Sequence, residues 1–150
     1  MINNSGKTAI SRKTVSAPMK FLFDNAYLEN EEGEMLDYGC GKGFDADHFN
    51  MDKYDLNHFP ETPNKKYDLI TCNYVLNVIE VEEDRVTVLN KIKSLLKPKG
   101  IAYISVRRDV KRDGFTSKGT FQANVELGLP LIVEKKNKFS IYELLENTSI

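Results

Sequence analysis

The stretch Met35–Asp45, "MLDYGCGKGFD", places three glycines at alternate positions behind an apolar run. Glycine has no Cβ, so it adopts positive φ at little cost and lets other atoms come close to the main chain. Such a run after a short strand marks a tight turn at the carboxyl edge of a parallel sheet, where open α/β folds bind their ligands. Gly39, Gly41 and Gly43 are spaced G-x-G-x-G. That is not the G-x-G-x-x-G of dinucleotide folds, and no Gly-Lys-Ser/Thr follows to complete a phosphate loop. Taken alone, the triplet is a weak signal that a purely structural turn also fits, so its neighbours have to decide.

Outward from the turn, short apolar runs alternate with helical patterns. "EMLDYG", "MDKYD", "KYDLITCNYV" and "GIAYISVR" each have the β-branched and aromatic content of a strand. Between the last two lies "EVEEDRVTVLNKIKSLLKPKG", with Val86, Leu89, Ile92 and Leu96 at helical spacing, acids in the first turn, and Pro98 and Gly100 as a stop. A strand, helix and strand in this order form a right-handed crossover, which makes the strands parallel. Upstream, Ser16 is placed to cap a helix that tolerates Pro18 in its first turn and carries Met19, Leu22, Phe23 and Tyr27 on one face. Gly33 closes that region. The tail "LPLIVEKKNKFSIYELL" holds two apolar runs about "KKNK", the pattern of an antiparallel hairpin.

Composition narrows the class. The 150 residues, 41% hydrophobic and 29% charged, suit one domain spanning 1–150, without repeats or linkers. There is no apolar run of membrane-spanning length and no signal-peptide core, so a cytoplasmic protein without membrane partners is expected. Cys40 and Cys72 stand far apart without histidines at ligand spacing, which indicates neither a disulfide framework nor a metal site. The net charge is -1, yet Lys7, Arg12, Lys13 and Lys20 fill the first twenty residues without an acid, and "VRRDVKRDG" forms a second basic cluster. Such runs serve as solvated loops or as an entrance for an anionic partner.

The ordered set of the glycine turn, Asp37 before it, Asp55 ending "MDKYD", "KYDLITCNYVL" and "LLKPKGIAYISV" resembles the class I S-adenosylmethionine-dependent methyltransferases. The resemblance runs from Gly33 to about Arg107. It implies an α/β, trimmed Rossmann-like class I methyltransferase fold, with a mostly parallel sheet lacking the usual third strand and a C-terminal antiparallel hairpin. It also implies S-adenosyl-L-methionine as cofactor. Gly39, Gly41 and Gly43 would pass beneath its methionine part and ribose, Asp37 would hold the methionine ammonium through water, and Asp55 would bond both ribose hydroxyls. Asn73 matches the strand end bordering cofactor and nucleophile. The same residue types also cap helices and form turns, and the sequence leaves that alternative open for Asp37, Asp55 and Asn73. More narrowly, "GKTAISRKTVSAPMKFLFDNAYL", "DYGCGKG" and "CNYVLNVIE" are similar to the methyltransferase domain associated with DNA phosphorothioation systems and to small stand-alone relatives in phages and bacteria.

Departures from the wider pattern are equally informative. Gly43 to Asp55 leaves room for only a short helix, and "LNHFPETPNKK" between Asp55 and Tyr67 is too short for a helix plus third strand. Adenine reading therefore falls to Leu56, Asn57 and Phe59, with Phe59 equally suited to the core. The trimmed sheet has a less protected edge, so a homo-oligomer is an expectation. Asn73 and Tyr74 are placed to orient an amine or hydroxyl. "NYVL" is not the Asn/Asp-Pro-Pro-Tyr/Phe of amino-methylating DNA enzymes, and no catalytic residue is assigned. His48 and His58 suit either a base or the surface. Arg107 and Arg108, with Lys111, Arg112 and Lys118, flank the substrate side, and Lys13 or Arg12 would pair with the cofactor carboxylate as part of a lid. The reading is a methyltransferase whose acceptor is a nucleic acid or a small molecule. The alternative is a factor that binds or consumes S-adenosylmethionine without methyl transfer.

Overall fold

The computed structural model describes residues 12–29 and 33–150. Lys7 and the start of the basic segment lie outside the described residues. The elements are α1 (Ala17–Asp24), β1 (Met35–Tyr38), α2 (Phe44–His48), β2 (Asp52–Tyr54), β3 (Tyr67–Asn73), a 3-10 turn (Leu76–Val78), α3 (Glu82–Ser94), β4 (Leu96–Arg107), β5 (Gly114–Phe115), β6 (Phe121–Gln122), β7 (Leu131–Lys135) and β8 (Phe139–Leu145). One six-stranded sheet runs β2-β1-β3-β4-β8-β7. Its first four strands are parallel, and β8 and β7 add antiparallel. The expected C-terminal hairpin is therefore the far edge of the main sheet. At the other edge β2 is last, and among the described residues no strand follows where a fuller sheet would carry a third.

Alternation along the strands feeds two cores, because successive side chains leave a strand on opposite faces. Ile70, Ile104 and Leu144 join α3 through Val88, Leu89 and Ile92. Leu69, Tyr103 and Ile141 face α1 and α2 through Met19, Leu22 and Ala46. Each such aliphatic side chain, once fully buried, contributes roughly 1.5–3 kcal/mol. Glu82, Glu83 and Asp84 open α3 while Lys91 and Lys93 close it, matching the helix dipole at both ends.

Three details differ from the sequence reading. Helix α3 stops at Ser94, so Leu96, expected on its apolar face, instead opens β4. Pro98 and Gly100 lie inside that strand. Tyr67 pairs with Leu96 and Leu69 with Ile101, so residues 97–100 bulge opposite Asp68 alone, and a bulge accommodates proline because no ladder donor is needed there. Gly100 is required by contact, since a Cβ would lie 2.8 Å from the Tyr67 carbonyl oxygen. Phe23, expected on the buried face of α1, is 61% exposed and meets the Phe49 ring at a tilt, with centroids 5.5 Å apart. The third difference is an unanticipated hairpin, β5 with β6, closed by Thr116, Gly119 and Thr120. Among the described residues no helix is long and apolar enough to cross a membrane.

Candidate functional site

The glycine turn leaves β1 with Gly39, Gly41 and Gly43 at φ of 80°, 57° and 88°. Positive φ at three of five positions is what demands glycine. Close approach is also present, but to protein atoms: a Cβ on Gly39 would lie 2.3 Å from Val75 Cγ2, and one on Gly43 would lie 2.8 Å from Lys53 Cδ. Four of the turn's main-chain donors are spent inside the fold. Gly39 and Cys40 donate to the Tyr54 carbonyl, Gly43 donates to that of Cys40, and Gly41 donates to Asp55 Oδ2 at 2.9 Å. A phosphate would find none of these four N–H groups available.

A cleft opens over this turn, walled by α2, the end of β2, the segment after β3, the end of β4 and the β6 strand. Asp37, Asp45 and Asp55 all line it, and all three are buried. Asp37 accepts a hydrogen bond from Thr71 Oγ1 at 3.0 Å, while burial and the nearby Asp45 carboxylate raise its pKa to about 7. Arg12 also lines the cleft and its charge opposes that rise. Asp55 is both a turn former and a cleft group. Its Oδ1 accepts from the N–H groups of Asn57 and His58, and its Oδ2 accepts from Gly41, so one carboxylate ties the glycine turn to the loop after β2.

On the substrate side, Ser105 of β4 organises the end of β3. Its hydroxyl donates to Asn73 Oδ1 at 2.7 Å and its carbonyl accepts from Tyr74 N at 3.0 Å. Tyr74 takes φ of 61°, uncommon for a bulky residue, and this re-aims its ring into the cleft wall beneath the Arg107 guanidinium, 5.1 Å above the ring centroid. Burial holds the Tyr74 hydroxyl above its ordinary pKa. Three buried side-chain atoms have no hydrogen-bond partner among the described residues: Ser16 Oγ, Asn73 Nδ2 and Asn77 Oδ1. All three residues line this cleft. Buried polar groups are normally paired, so orphans gathered in one cleft point to a polar ligand.

Several sequence-picked residues stand elsewhere. Lys13 is exposed and Arg12, its neighbour, takes the cleft position. Leu56 is 49% exposed and, like Asn57 and Phe59, is absent from the cleft lining; Phe59 packs against Gly43 and under the Lys53 ammonium. Arg108 turns away from Arg107 into a pocket of Ser140, Tyr142, Glu126 and Glu134, where its charge is spent on the fold. His48 and His58 are exposed and do not line the cleft. Neither thiol is poised to react: burial drives Cys72 upward and, with Asp37 and Asp55 nearby, lifts Cys40 to about 12. The sequence reading missed Asp45, Asn77 and Gln122. Asp45 sat two residues past the last glycine, and the Gly119 turn between Phe115 and Phe121 was the available signal for the hairpin that carries Gln122.

Residues 10–124, more than half of the chain, match the model of the methyltransferase domain family. The chain belongs to this family. It is an S-adenosyl-L-methionine-dependent methyltransferase. The methyltransferase is 28% identical to the ubiquinone biosynthesis O-methyltransferase of Rickettsia bellii, over 99% of its own length and 75% of that relative. Its fold is shared with the 1,6-didemethyltoxoflavin-N1-methyltransferase of Burkholderia thailandensis, crystallised with 1,6-didemethyltoxoflavin and S-adenosylhomocysteine: the TM-score is 0.61 at 17% identity, covering 85% of this chain and 76% of that one. It is likewise similar to DhpI in complex with S-adenosylhomocysteine, with a TM-score of 0.52 at 15% identity, covering 85% and 82% of the two chains.

Proposed function

We propose that this methyltransferase holds S-adenosylmethionine over the glycine turn and transfers its methyl group to a small-molecule acceptor that enters past Tyr74 and Arg107. The observation that carries this reading is the gathering of three buried carboxylates around a turn whose Gly39, Cys40, Gly41 and Gly43 N–H groups are already engaged, which suits a cationic group. The cofactor supplies the activated methyl on a sulfonium centre. Asp37 meets its ammonium, Asp55 its ribose hydroxyls, and Arg12 its carboxylate, while Asn73 borders the reacting methyl. The protein's task is then alignment, which by itself removes much of the barrier.

A small acceptor is favoured because the two most site-proximal cations of the basic cluster are already neutralised. Arg107 donates twice to Asp109, both at 2.8 Å, and Arg108 lies among Glu126 and Glu134. The solved relatives also point this way, one carrying a bound toxoflavin precursor. A nucleic-acid acceptor, in line with the phosphorothioation-associated resemblance, draws its support from the exposed Lys111, Arg112 and Lys118. Titration with S-adenosylhomocysteine should give a Kd of about micromolar order. Labelled cofactor incubated with small acceptors and with oligonucleotides then separates the two acceptor classes. Folded protein showing neither heat nor thermal shift would remove the reading.

The Asp37 carboxyl gives this binding a pH signature. Its deprotonated form is the one that attracts an ammonium, and its pKa of about 7 lies far above the ordinary 3.8. S-adenosylhomocysteine affinity should therefore be level above pH 7 and fall about tenfold per unit below it, each unit being worth about 1.4 kcal/mol. Asp37→Asn should abolish that slope. Stability runs in the opposite direction: a folded pKa raised above the unfolded one favours the protonated state, so this group's contribution is full below about 3.8 and is lost as pH rises through about 7. Asp37→Asn should accordingly raise the melting temperature of the ligand-free protein at pH 8 relative to wild type.

Arg12 and Lys13 are distinguishable by the same titration. Arg12→Ala should cost about tenfold in S-adenosylhomocysteine affinity, the value of a charge-assisted hydrogen bond of about 1.5 kcal/mol. Lys13→Ala, at an exposed position outside the lining, should stay within about twofold of wild type. Equal losses would place both in a closing segment.

A further inference from the structure

Asp45 is the third buried carboxylate of the cleft and has no part in the cofactor contacts assigned to Asp37 and Asp55. It stands in the first turn of α2, which the body of the fold holds in place: its carbonyl accepts from Phe49 N at 3.0 Å, and Ala46 beside it is buried in one cluster with Met19 and Leu22 of α1. The Asp45 side chain reaches back across 29 residues, where Oδ1 accepts from the main-chain N–H of Ser16 at 2.9 Å in a buried bond. Ser16 is the buried N-cap residue of α1, extended at φ of -62° and ψ of 152°, and its own hydroxyl makes no capping bond. Asp45 thus serves this N–H as the acid of a capping box would, but from another helix. Among the described residues it is the one hydrogen bond that joins residues 12–16 to the protein outside α1. Lys13 and Thr14 are exposed, and at the far end of the segment Arg12 reaches the cleft lining.

We propose that Asp45 is a positioning residue for cofactor binding: by pinning the Ser16 main chain it holds Arg12 in the cleft, ready for the cofactor carboxylate. The inference rests on the reading of Arg12 as partner of that carboxylate and adds the group that makes the contact effective. An untethered segment would have to give up backbone freedom when Arg12 met the cofactor, and that cost subtracts from affinity. A segment pinned at Ser16 has given it up on folding. The electrostatics agree with this placement. Alongside burial, the main cause in each case, Arg12 and Asp45 act with opposite sign on Asp37 and on Tyr74, so both lie within electrostatic reach of the cofactor side and the acceptor side of the cleft. The bond is not what docks α1, since Met19 and Leu22 do that in the core. Its loss therefore frees residues 12–15 and leaves the helix in place. A direct contact of Asp45 to the cofactor ammonium is the competing role, and its effect would not pass through Arg12.

S-adenosylhomocysteine affinity is measured by calorimetry on the full chain at pH 8, above the Asp37 pKa of about 7. Ser16→Pro removes the N–H donor and keeps the Asp45 carboxylate, and the φ of -62° at this position is one that proline takes. Asp45→Ala and Ser16→Pro should each weaken binding about fivefold to tenfold, close to the effect of Arg12→Ala. Asp45→Asn keeps an oxygen for Ser16 and should restore affinity to within about threefold of wild type. Adding Asp45→Ala or Ser16→Pro to Arg12→Ala should deepen the loss by less than about twofold, because all three act through one contact. Decarboxylated S-adenosylhomocysteine, which keeps the ammonium and has no carboxylate for Arg12, should bind Asp45→Ala within about threefold of wild type. Losses that multiply in the double variants, or a decarboxylated analogue as sensitive to Asp45→Ala as its parent, would make Asp45 a direct contact and overturn the assignment. Wild-type affinity in both Asp45→Ala and Ser16→Pro, an Asp45→Asn loss as large as that of Asp45→Ala, or failure of both Asp45→Ala and Ser16→Pro to fold would overturn it as well. Wild-type affinity in Arg12→Ala would instead remove the Arg12 contact on which it rests, and absence of binding by the wild type would remove the cofactor reading itself.

Discussion

Gly39→Ala is expected to destabilise the methyltransferase by about 2–5 kcal/mol, a substantial part of the roughly 5–15 kcal/mol that holds a typical domain. Two costs add. A left-handed φ of 80° is strained for any residue with a Cβ, by about 1–2 kcal/mol. The new Cβ would also sit 2.3 Å from Val75 Cγ2, and Val75 is a buried, β-branched residue with little rotamer freedom to retreat. Overpacking of that kind costs about 1–3 kcal/mol. For a chain of this size the melting temperature should fall by about 5 °C at least. The diagnostic measurement is a double-mutant cycle with Val75→Ala. If the clash is real, the double variant will be more stable than the two singles predict by at least about 1 kcal/mol. Simple additivity would mean that Val75 does not set the glycine requirement.

Asp55→Ala should be nearly as damaging, and should show two separable losses. The carboxylate accepts from Gly41, Asn57 and His58, and truncation leaves three main-chain donors to find new partners. At about 1.5 kcal/mol or more for each hydrogen bond to a charged group, moderated where water can enter, a loss of about 3 kcal/mol is expected. Asp55→Asn should be intermediate, because the carboxamide keeps one acceptor and turns a donor toward the other N–H. Cofactor affinity should fall more than tenfold in either variant. Trimethylamine oxide, which strengthens burial, distinguishes the causes. Affinity that returns with the fold marks Asp55 as a brace for the glycine turn, whereas affinity that stays low in folded protein marks a direct contact to the ribose hydroxyls.

Much of the architecture is local enough to be written in the sequence. The apolar run before Gly39, the alternating glycines, the 3.6-residue spacing from Val86 to Ile92 and the two runs about "KKNK" each fix an element through its own backbone and face. Their order then fixes a parallel sheet through the handedness of the crossover. The short connection from Asp55 to Tyr67 likewise decided that β2 ends the sheet, since chain length limits what can be built. Periodicity, however, reports which face is apolar and not what that face meets. Leu96 fitted a helix and joined a strand because Tyr67 of β3 offered it a ladder position.

The site divides in the same way. Asp37, the three glycines, Asp55 and Asn73 were legible because they sit at or just past the ends of strands. Arg12 rather than Lys13 in the lining, the capture of Arg108 by Glu126 and Glu134, and the reach of Gln122 across 45 residues to Asn77 were not. Adjacent residues on an extended chain point to opposite sides, so two neighbouring cations look alike in sequence and meet different surroundings once the sheet forms. The sequence by itself determined the parallel pairing of the central strands, the glycine turn and two of the acidic residues around it, Asp37 and Asp55. Only the tertiary structure decided which donors are already spent, which charges are already paired and which buried atoms still lack a partner, because those are properties of distances between segments that the chain brings together only on folding.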